Sequence, residues 1–299
     1  MYHTDRETMT ASAPSRVLRS FLRASYNKVR FYGRLAASNI RRRVPFPKVS
    51  NLRKPIFVIG SSRSGTSAMA DGVGMHPDTV KLSENAVVRR HMWKLVANEE
   101  DRAELEELRK TLVRLGGVKK NQRLVEKTPG HSLIANVLHS YFRSGYFVHM
   151  VRDGRDVAES MLGHEWIADE LSSDKEPFWL EQLSKGLQDR YWESSMLERG
   201  MLRWTAFVTA ARRLESSPRY MEVRYERFCC DTRQELRQLC ATLELREDSD
   251  WLNAVDRMVS AESLTQRRGW QLPVNSQMRS GIVSDILDEV DLVDILEGP

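Results

Sequence analysis

A short turn with two glycines, placed between an apolar strand and a helix, most constrains how this chain folds. Residues 55–60 (PIFVIG) form a continuously apolar run, which is typical of a parallel strand buried on both faces. The turn GSSRSG of residues 60–65 follows, and residues 66–75 have the pattern of a helix. A turn in this position directs backbone N–H groups toward an anion at the helix N-terminus. The sequence therefore predicts an anion-binding site directly after the first strand.

The rest of the chain after residue 55 alternates strand and helix patterns. The further predicted strands cover residues 123–126, 146–151 and 220–224, with one more short strand just before Glu84. The further predicted helices cover residues 131–142, 153–162, 189–214 and 232–243. Alternation of this kind indicates crossover units and a parallel sheet with helices on both faces. We therefore predict a single α/β domain, with a P-loop-like parallel sheet, over residues 55–284.

Charge is distributed unevenly along the chain. Residues 1–70 carry fourteen Lys and Arg against two acidic residues, whereas residues 71–299 carry thirty-two against thirty-nine. We therefore predict a basic amphipathic N-terminal arm over residues 1–54 and an acidic C-terminal segment over residues 285–299. Apolar residues recur at helical spacing over residues 15–43, which leaves three interpretations open. This stretch is a helix on an anionic membrane surface, a helix packed on the acidic body, or a cleavable transit peptide.

Composition also limits the class of protein and its compartment. With 41% hydrophobic and 29% charged residues, the chain is not disordered throughout, collagenous or stapled by disulfides. It has no run of about 18 apolar residues, so no membrane-spanning helix is predicted. The three cysteines, Cys229, Cys230 and Cys240, have no metal-ligand spacing and indicate reduced thiols. A cytoplasmic location is expected, because there is also no signal-anchor helix.

The turn lacks the residue that nucleotide triphosphatases need. Gly60 and Gly65 have the separation of P-loop glycines, but Thr66 stands where a lysine would follow. Without that lysine, the β- and γ-phosphates of a triphosphate lose their cationic partner. Arg63 lies inside the turn instead. Its planar guanidinium suits a tetrahedral oxyanion, such as a sulfuryl group or a single 5′-phosphate.

A second anion-binding motif follows the strand at residues 146–151. Arg152 comes directly after this strand and is expected to face the crevice where open α/β sheets bind ligands. Ser160 lies about two turns into the next helix, on roughly the face that Arg152 addresses. The pair suits a second phosphate at some distance from the first, as in a 3′-phosphorylated nucleotide.

Both motifs resemble those of sulfotransferases that use 3′-phosphoadenosine 5′-phosphosulfate (PAPS). SRSGTS at residues 62–67 is similar to the family's 5′-phosphosulfate loop, which commonly reads Pro-Arg-Ser-Gly-Thr-Thr, although the leading proline is absent. RDGRDVAES at residues 152–160 is similar to the family's 3′-phosphate motif. The resemblance spans about residues 55–270 and implies sulfuryl transfer from PAPS to a hydroxyl acceptor. It also implies a donor site formed by Arg63, Ser64, Gly65, Thr66 and Ser67 around the 5′-phosphosulfate, Arg152 and Ser160 at the 3′-phosphate, Tyr225 near the adenine, and Arg267 and Arg268 in a late basic loop.

The resemblance also implies roles on the acceptor side. Glu84 matches the glutamate base of protein-tyrosine and several carbohydrate sulfotransferases, and Lys127 matches a lysine that supports the sulfuryl oxygens. His131 is the strongest rival base, because its ordinary pKa suits proton transfer near neutral pH. His149 is interpreted as a core residue, and the remaining rivals are His91 and His164. Trp166, Trp179, Trp192 and Trp204 either line an acceptor pocket or belong to the core.

The sequence does not identify the acceptor, and it is compatible with two other functions. The acceptor is a carbohydrate, a glycolipid, a tyrosyl group or a small molecule, and no nucleic-acid partner is expected. No metal is expected either, because PAPS has no β- and γ-phosphates for a metal to bridge. The alternatives are a nucleotide kinase-like P-loop phosphotransferase, against which Thr66 argues, and a non-catalytic module that binds polyanions.

Overall fold

The computed structural model of the chain describes residues 52–119 and 121–267. Its centre is one sheet of five parallel strands, in the order β2-β3-β1-β4-β5. The strands are β1 (Ile56–Gly60), β2 (Thr79–Ser83), β3 (Arg123–Lys127), β4 (Tyr146–Val151) and β5 (Tyr220–Arg224). This architecture confirms the predicted α/β class with a P-loop-like parallel sheet.

Eleven α-helices connect and cover these strands within the described residues. They are α1 (Thr66–Gly74), α2 (Ala86–Ala97), α3 (Arg102–Gly116), α4 (Ala135–Tyr141), α5 (Gly154–Leu162), α6 (Glu165–Leu171), α7 (Lys185–Arg190), α8 (Met196–Arg212), α9 (Tyr225–Cys230), α10 (Thr232–Leu243) and α11 (Ser249–Arg267). Short 3-10 turns occupy Pro129–Ile134, Leu180–Gln182 and Tyr191–Glu193.

The central strands are buried on both faces because helices pack on each side of the sheet. Ile56 and Val58 of β1 pack with apolar side chains of α1, α9, α10 and α11. Phe57 and Ile59, which point to the opposite face, pack with side chains of α2, α3 and α4. The carboxyl-terminal end of β4 meets the core of α5, α6 and α8 on that same side. The alternation of side chains along β1 thus explains why its sequence is apolar at every position.

The point at which the strand order reverses lies between β1 and β4. These two strands are neighbours, and Gly60 is paired with Met150 at their carboxyl ends. The helix that follows β1 packs on one face of the sheet, and the helix that follows β4 packs on the other. Connections that diverge in this way leave a crevice at the strand ends, which is where α/β sheets bind ligands. Both predicted anion-binding motifs border this crevice.

Two of the predicted helices are wrong in their limits. The predicted helix over residues 131–142 begins instead as the 3-10 turn Pro129–Ile134 and becomes α4 only at Ala135. The predicted helix over residues 189–214 is interrupted before Met196. Ser195 and Glu198 form a capping box there: the Glu198 N–H donates to the Ser195 hydroxyl, and the Ser195 N–H donates to the Glu198 carboxylate. This reciprocal capping starts a new helix where the apolar pattern alone suggests continuity.

Several sequence predictions fall on residues that the structure does not describe. The arm, up to residue 51, the acidic segment over residues 285–299 and Arg268 lie outside the described residues. The division into residues 1–54, 55–284 and 285–299 therefore stays a prediction. Arg267 is the last residue of α11, so the expectation that it belongs to a loop is wrong. A search of the described residues finds no helix with the length and apolar character needed to cross a membrane.

Candidate active site

The glycine turn after β1 packs tightly against the start of α9. Gly65 has a φ of 84°, in the left-handed region, and a Cβ at this position would lie 2.7 Å from Cε2 of Tyr225 and closer still to its Cδ2. Only a residue without a side chain fits both this backbone conformation and this ring. Tyr225 itself is buried and is the first residue of α9. β5 ends at Arg224, as the sequence predicts, so Tyr225 follows the strand directly.

The N-terminus of α1 has the features of an anion site. Gly65 is the N-cap, no side chain caps the helix, and its first turn contains no acidic residue. Uncapped amide groups at a helix N-terminus carry partial positive charge. The Ser64 hydroxyl is buried and has no hydrogen-bond partner among residues 52–119 and 121–267. A buried hydroxyl without a partner, next to free helix amides, fits a bound oxyanion that would satisfy both.

Arg63 links this turn to the second motif. Its φ is 75°, an uncommon conformation for a residue with a side chain, and its side chain is exposed. The Arg63 Nε donates a hydrogen bond of 3.0 Å to the Ser160 hydroxyl in the last turns of α5. The first motif and the helix of the second are therefore in direct contact through these two side chains.

Arg152 lies beside the glycine turn, at the end of β4. It follows β4 directly and is only 9% exposed. One guanidinium nitrogen lies 3.5 Å from the Arg63 carbonyl oxygen, and the other donates to Asp156 at 3.2 Å. The guanidinium carbon is 4.9 Å from the centroid of the Tyr225 ring, within range of a cation–π interaction. The two motifs, separated by about ninety residues in the chain, thus meet at the carboxyl ends of β1 and β4.

Glu84 and Lys127 face each other across the ends of β2 and β3. The Glu84 N–H donates to the Lys127 carbonyl at 2.8 Å, and their side chains form an ion pair. The Lys127 ammonium also donates to the Ser67 hydroxyl at 2.9 Å, which connects it to the first turn of α1. The Lys127 side chain is 3% exposed, whereas that of Glu84 is 51% exposed. The carboxylate therefore borders solvent while the ammonium lies beneath it.

Glu84 is not used to cap the helix that follows. Asn85 is the N-cap of α2, and its side chain accepts from the Val87 N–H. Glu84 has a φ of 44°, in the left-handed region. This conformation costs free energy for a residue with a side chain and is common at functional sites. The carboxylate is thus held next to Lys127 by the loop rather than by a structural role in the helix.

A comparison with known proteins identifies the family of this chain. The profile described as the sulfotransferase family matches residues 55–250, which is more than half of the chain. The chain belongs to the sulfotransferase family. This result confirms the resemblance to PAPS-dependent sulfotransferases and the assignment as an enzyme that transfers a sulfuryl group.

Solved sulfotransferase structures are similar to this one at low sequence identity. A mouse sulfotransferase, SULT7A1 complexed with PAP, has a TM-score of 0.53 at 14% identity and covers 82% of this chain and 88% of that chain. Sulfotransferase STF9 from Mycobacterium avium has a TM-score of 0.49 at 12% identity, covering 87% of this chain and 81% of that chain. The likeness to the mouse structure supports a shared fold. A comparison with curated protein sequences finds no match.

In this sulfotransferase, His131 is not placed to act as the base. It has no exposed surface, and its Nδ1 lies 2.7 Å from a carboxylate oxygen of Glu126. Glu126 is also fully buried and accepts a hydrogen bond of 2.7 Å from the Thr128 hydroxyl. The next residue, Ser132, accepts from the Gly60 N–H at 2.7 Å. The hydrogen bond from Gly60 to Ser132 therefore ties this buried segment to the start of the glycine turn.

The other histidines differ in their relation to the site. His91 contacts Glu104 and Thr111 of α3, which occupies both ring nitrogens. His149 is fully buried in β4, where burial lowers its pKa, as expected for a core residue. The pKa of His164 is lowered mainly by partial burial and next by the Arg63 charge, while the Glu84 carboxylate opposes both. The charges of two predicted catalytic residues, Arg63 and Glu84, thus contribute to the pKa of His164.

The tryptophans divide between core and surface. Trp179 and Trp204 are fully buried, whereas Trp166 and Trp192 are exposed. Trp93 in α2 is also exposed and meets the Phe178 ring edge-on at 4.2 Å between centroids. Among the described residues, no group of three or more His, Cys, Asp or Glu is arranged to hold a metal ion.

Proposed function

We propose that this sulfotransferase transfers a sulfuryl group from PAPS to a hydroxyl acceptor in a single in-line step. The observation that carries the proposal is the meeting of the Arg63 turn with Arg152, whose side chain reaches to 3.5 Å from the Arg63 carbonyl. Two anion sites at adjacent strand ends suit a nucleotide with separate phosphates at its 3′ and 5′ positions. A triphosphate chain would need a cation after Gly65, where this protein has Thr66.

On the donor side, the turn of residues 63–67 would hold the 5′-phosphosulfate. The uncapped amides of α1 and the buried Ser64 hydroxyl supply hydrogen bonds, and Arg63 supplies positive charge. Arg152 and Ser160 would bind the 3′-phosphate, and Tyr225, which packs on Gly65 and beneath Arg152, would border the adenine. Arg267 and Arg268 remain predicted contacts of the 3′-phosphate.

On the acceptor side, Glu84 would take the proton from the acceptor hydroxyl. The hydroxyl oxygen forms a bond to sulfur while the bond from sulfur to the 5′-phosphate oxygen breaks, and adenosine 3′,5′-bisphosphate (PAP) leaves. Lys127 would stabilise the transferred oxygens and, through Ser67, align them with the N-terminus of α1. The leaving phosphate is stable as an anion, so no strong general acid is required, and the transfer needs no metal.

The proposal is tested by thermal unfolding with two nucleotides. PAP should raise the melting temperature and ATP with magnesium should not, because only PAP carries the second phosphate in the right place. Arg152→Ala should lose most of this stabilisation. Arg155→Ala is the matched control, since Arg155 pairs with the helix cap Asp153 at 3.0 Å and has no assigned ligand. Equal stabilisation by ATP with magnesium would favour a kinase-like enzyme, and salt-sensitive polyanion binding without turnover would favour a binding module.

The proposal also covers the class of acceptor and the location of the enzyme, both in general terms. The acceptor carries a hydroxyl group, and a reducing, cytoplasmic compartment is the expectation from the sequence, in which the cysteines have no metal-ligand spacing. Contact with a membrane through residues 15–43 stays a prediction from the sequence. A screen of cell extracts for compounds that gain one sulfuryl mass with the enzyme and PAPS would identify the acceptor.

A further inference from the structure

Trp166 is a large exposed aromatic side chain that the mechanism above does not use. It is 51% exposed, although Ile167 and Leu171 of the same helix, α6, have no exposed surface. The helix is therefore anchored in the core while Trp166 lies at its surface. A tryptophan on an anchored helix presents a rigid apolar surface that a ligand can cover.

A buried cation supports the Trp166 ring. The guanidinium carbon of Arg203, in α8, lies 5.8 Å from the ring centroid, and Arg203 is only 2% exposed. The Arg203 Nε donates to the Glu170 carboxylate at 3.0 Å, and the same carboxylate accepts from the Trp179 indole N–H at 2.6 Å. Because these partners are fixed, the orientation of Trp166 is set before any ligand arrives, which reduces the entropy lost on binding.

His164 connects this aromatic surface to the site of transfer. Its ring meets the Trp166 ring edge-on, with 5.5 Å between centroids. Four residues before His164, the Ser160 hydroxyl accepts the hydrogen bond from Arg63. The His164 N–H donates to the Met161 carbonyl at 2.9 Å, which ties His164 to the end of the same helix, α5. The surface formed by Trp166 and His164 therefore begins at the end of α5, the helix whose Ser160 contacts Arg63 of the proposed donor site.

We propose that Trp166, supported by Arg203 and Glu170, binds the acceptor, and that the acceptor carries a flat apolar ring within a few bonds of its hydroxyl. His164, which meets the Trp166 ring edge-on, contacts the same acceptor. A flat ring stacks on a fixed indole without losing internal freedom, whereas a flexible chain loses rotamer entropy when it is held there. This inference rests on the proposed sulfuryl transfer and specifies its substrate class.

The test compares two probe alcohols with equal numbers of carbon atoms, phenethyl alcohol and n-octanol. Both are primary alcohols, so the transferred group and its chemistry are the same, and only the ring differs. Transfer from PAPS is measured for the wild type and for Trp166→Ala, Trp166→Phe and Trp192→Ala. Trp192 is the matched control, because it is 44% exposed but contacts Tyr191 and Arg199 rather than residues of the site.

We expect Trp166→Ala to raise the KM for phenethyl alcohol roughly tenfold, with kcat changed by less than about twofold. Trp166→Phe should recover most of this loss, and Trp192→Ala should have no effect. The wild type should prefer phenethyl alcohol to n-octanol. The melting-temperature shift produced by PAP should be unchanged in all three variants, since none of them alters the donor site.

Several results would overturn the proposal. Equal KM values for Trp166→Ala and Trp192→Ala would show that Trp166 is not the binding surface. Equal use of n-octanol, or transfer to methyl glucoside but to neither alcohol, would refute an acceptor with an apolar ring. In these cases PAP would still stabilise the protein, so the proposed donor site would not be refuted. Loss of that stabilisation in the wild type would instead refute the proposed function itself.

Discussion

Substituting Gly65 by alanine tests how closely the glycine turn is fitted to the Tyr225 ring. The new Cβ would lie 2.7 Å from Cε2 of Tyr225, and Tyr225 is 3% exposed with the Arg152 guanidinium over its ring. The ring therefore has no free space into which it can turn. A side chain at the φ of 84° costs about 1–2 kcal/mol. Overpacking against a held ring adds about 1–3 kcal/mol, so we expect a loss of roughly 2–5 kcal/mol in the free energy of unfolding.

The chain contains a matched control for the backbone contribution. Gly117, at the end of α3, also has a positive φ, 62°, but a Cβ there would have nothing within 4 Å. Gly117→Ala should therefore lose only the backbone cost of about 1–2 kcal/mol. The two variants are compared by urea unfolding with the wild type, Tyr225→Ala and the double variant Gly65→Ala/Tyr225→Ala, which together form a double-mutant cycle. The double variant should recover the overpacking cost as a coupling energy of about 1–3 kcal/mol.

The functional consequence is measured on the same proteins. Because the turn and the Tyr225 ring border the proposed donor site, Gly65→Ala should weaken PAP binding in calorimetric titration, whereas Gly117→Ala should not. If Gly65→Ala were no more destabilising than Gly117→Ala, the close packing of the turn against Tyr225 would be refuted as the reason for this glycine.

Three further predictions concern catalysis, pH and thiol reactivity. Glu84→Gln should keep PAP binding but lower kcat by about 10²–10⁴-fold, and full turnover would remove Glu84 as the base. Arg212 and His149 together lower the pKa of the Glu222 carboxyl despite its burial, so this carboxylate stabilises the fold above its ordinary pKa of 4.5. That stability is lost as pH falls below 4.5. The urea midpoint should therefore fall less steeply with pH in Glu222→Gln than in the wild type. Parallel curves of midpoint against pH for the two proteins would contradict this prediction. Burial raises the pKa of the Cys240 thiol to about 11, so little of it is thiolate at pH 8. Iodoacetamide at pH 8 should therefore modify the exposed Cys230 before the buried Cys240, which peptide mass analysis would show.

Local patterns were sufficient to predict the sheet and the positions of the two motifs at its strand ends. The apolar run of β1 and the glycine spacing after it mark a buried strand and a turn, because both depend on neighbouring residues only. Arg152 could be placed for the same reason, since the carboxyl ends of parallel strands share one edge of the sheet. The interruption before Met196 could also have been found, because Ser195 and Glu198 have the spacing of a capping box.

Contacts between distant segments explain what the sequence did not show. His131 appeared to be a candidate base, but its partner Glu126 lies within a strand and both are fully buried. Trp166 was indistinguishable from the core tryptophans, because its exposure depends on how α6 packs against α8. Its support by Arg203, 37 residues away in the chain, follows no local rule. The sequence pattern identifies residues at strand ends, but it does not identify surfaces formed by helices and loops that are distant in the chain.

The central claim is that two separate anion sites recognise a nucleotide with phosphates at both its 3′ and 5′ positions. Calorimetric titration of PAP and of 5′-AMP, which lacks the 3′-phosphate, measures this directly in the wild type and in Arg152→Ala. A charged hydrogen bond contributes about 1.5–3 kcal/mol, so the wild type should bind PAP more tightly than 5′-AMP by roughly 10–150-fold. In Arg152→Ala this preference should nearly disappear. A preference for PAP that survived the loss of Arg152 would contradict the account.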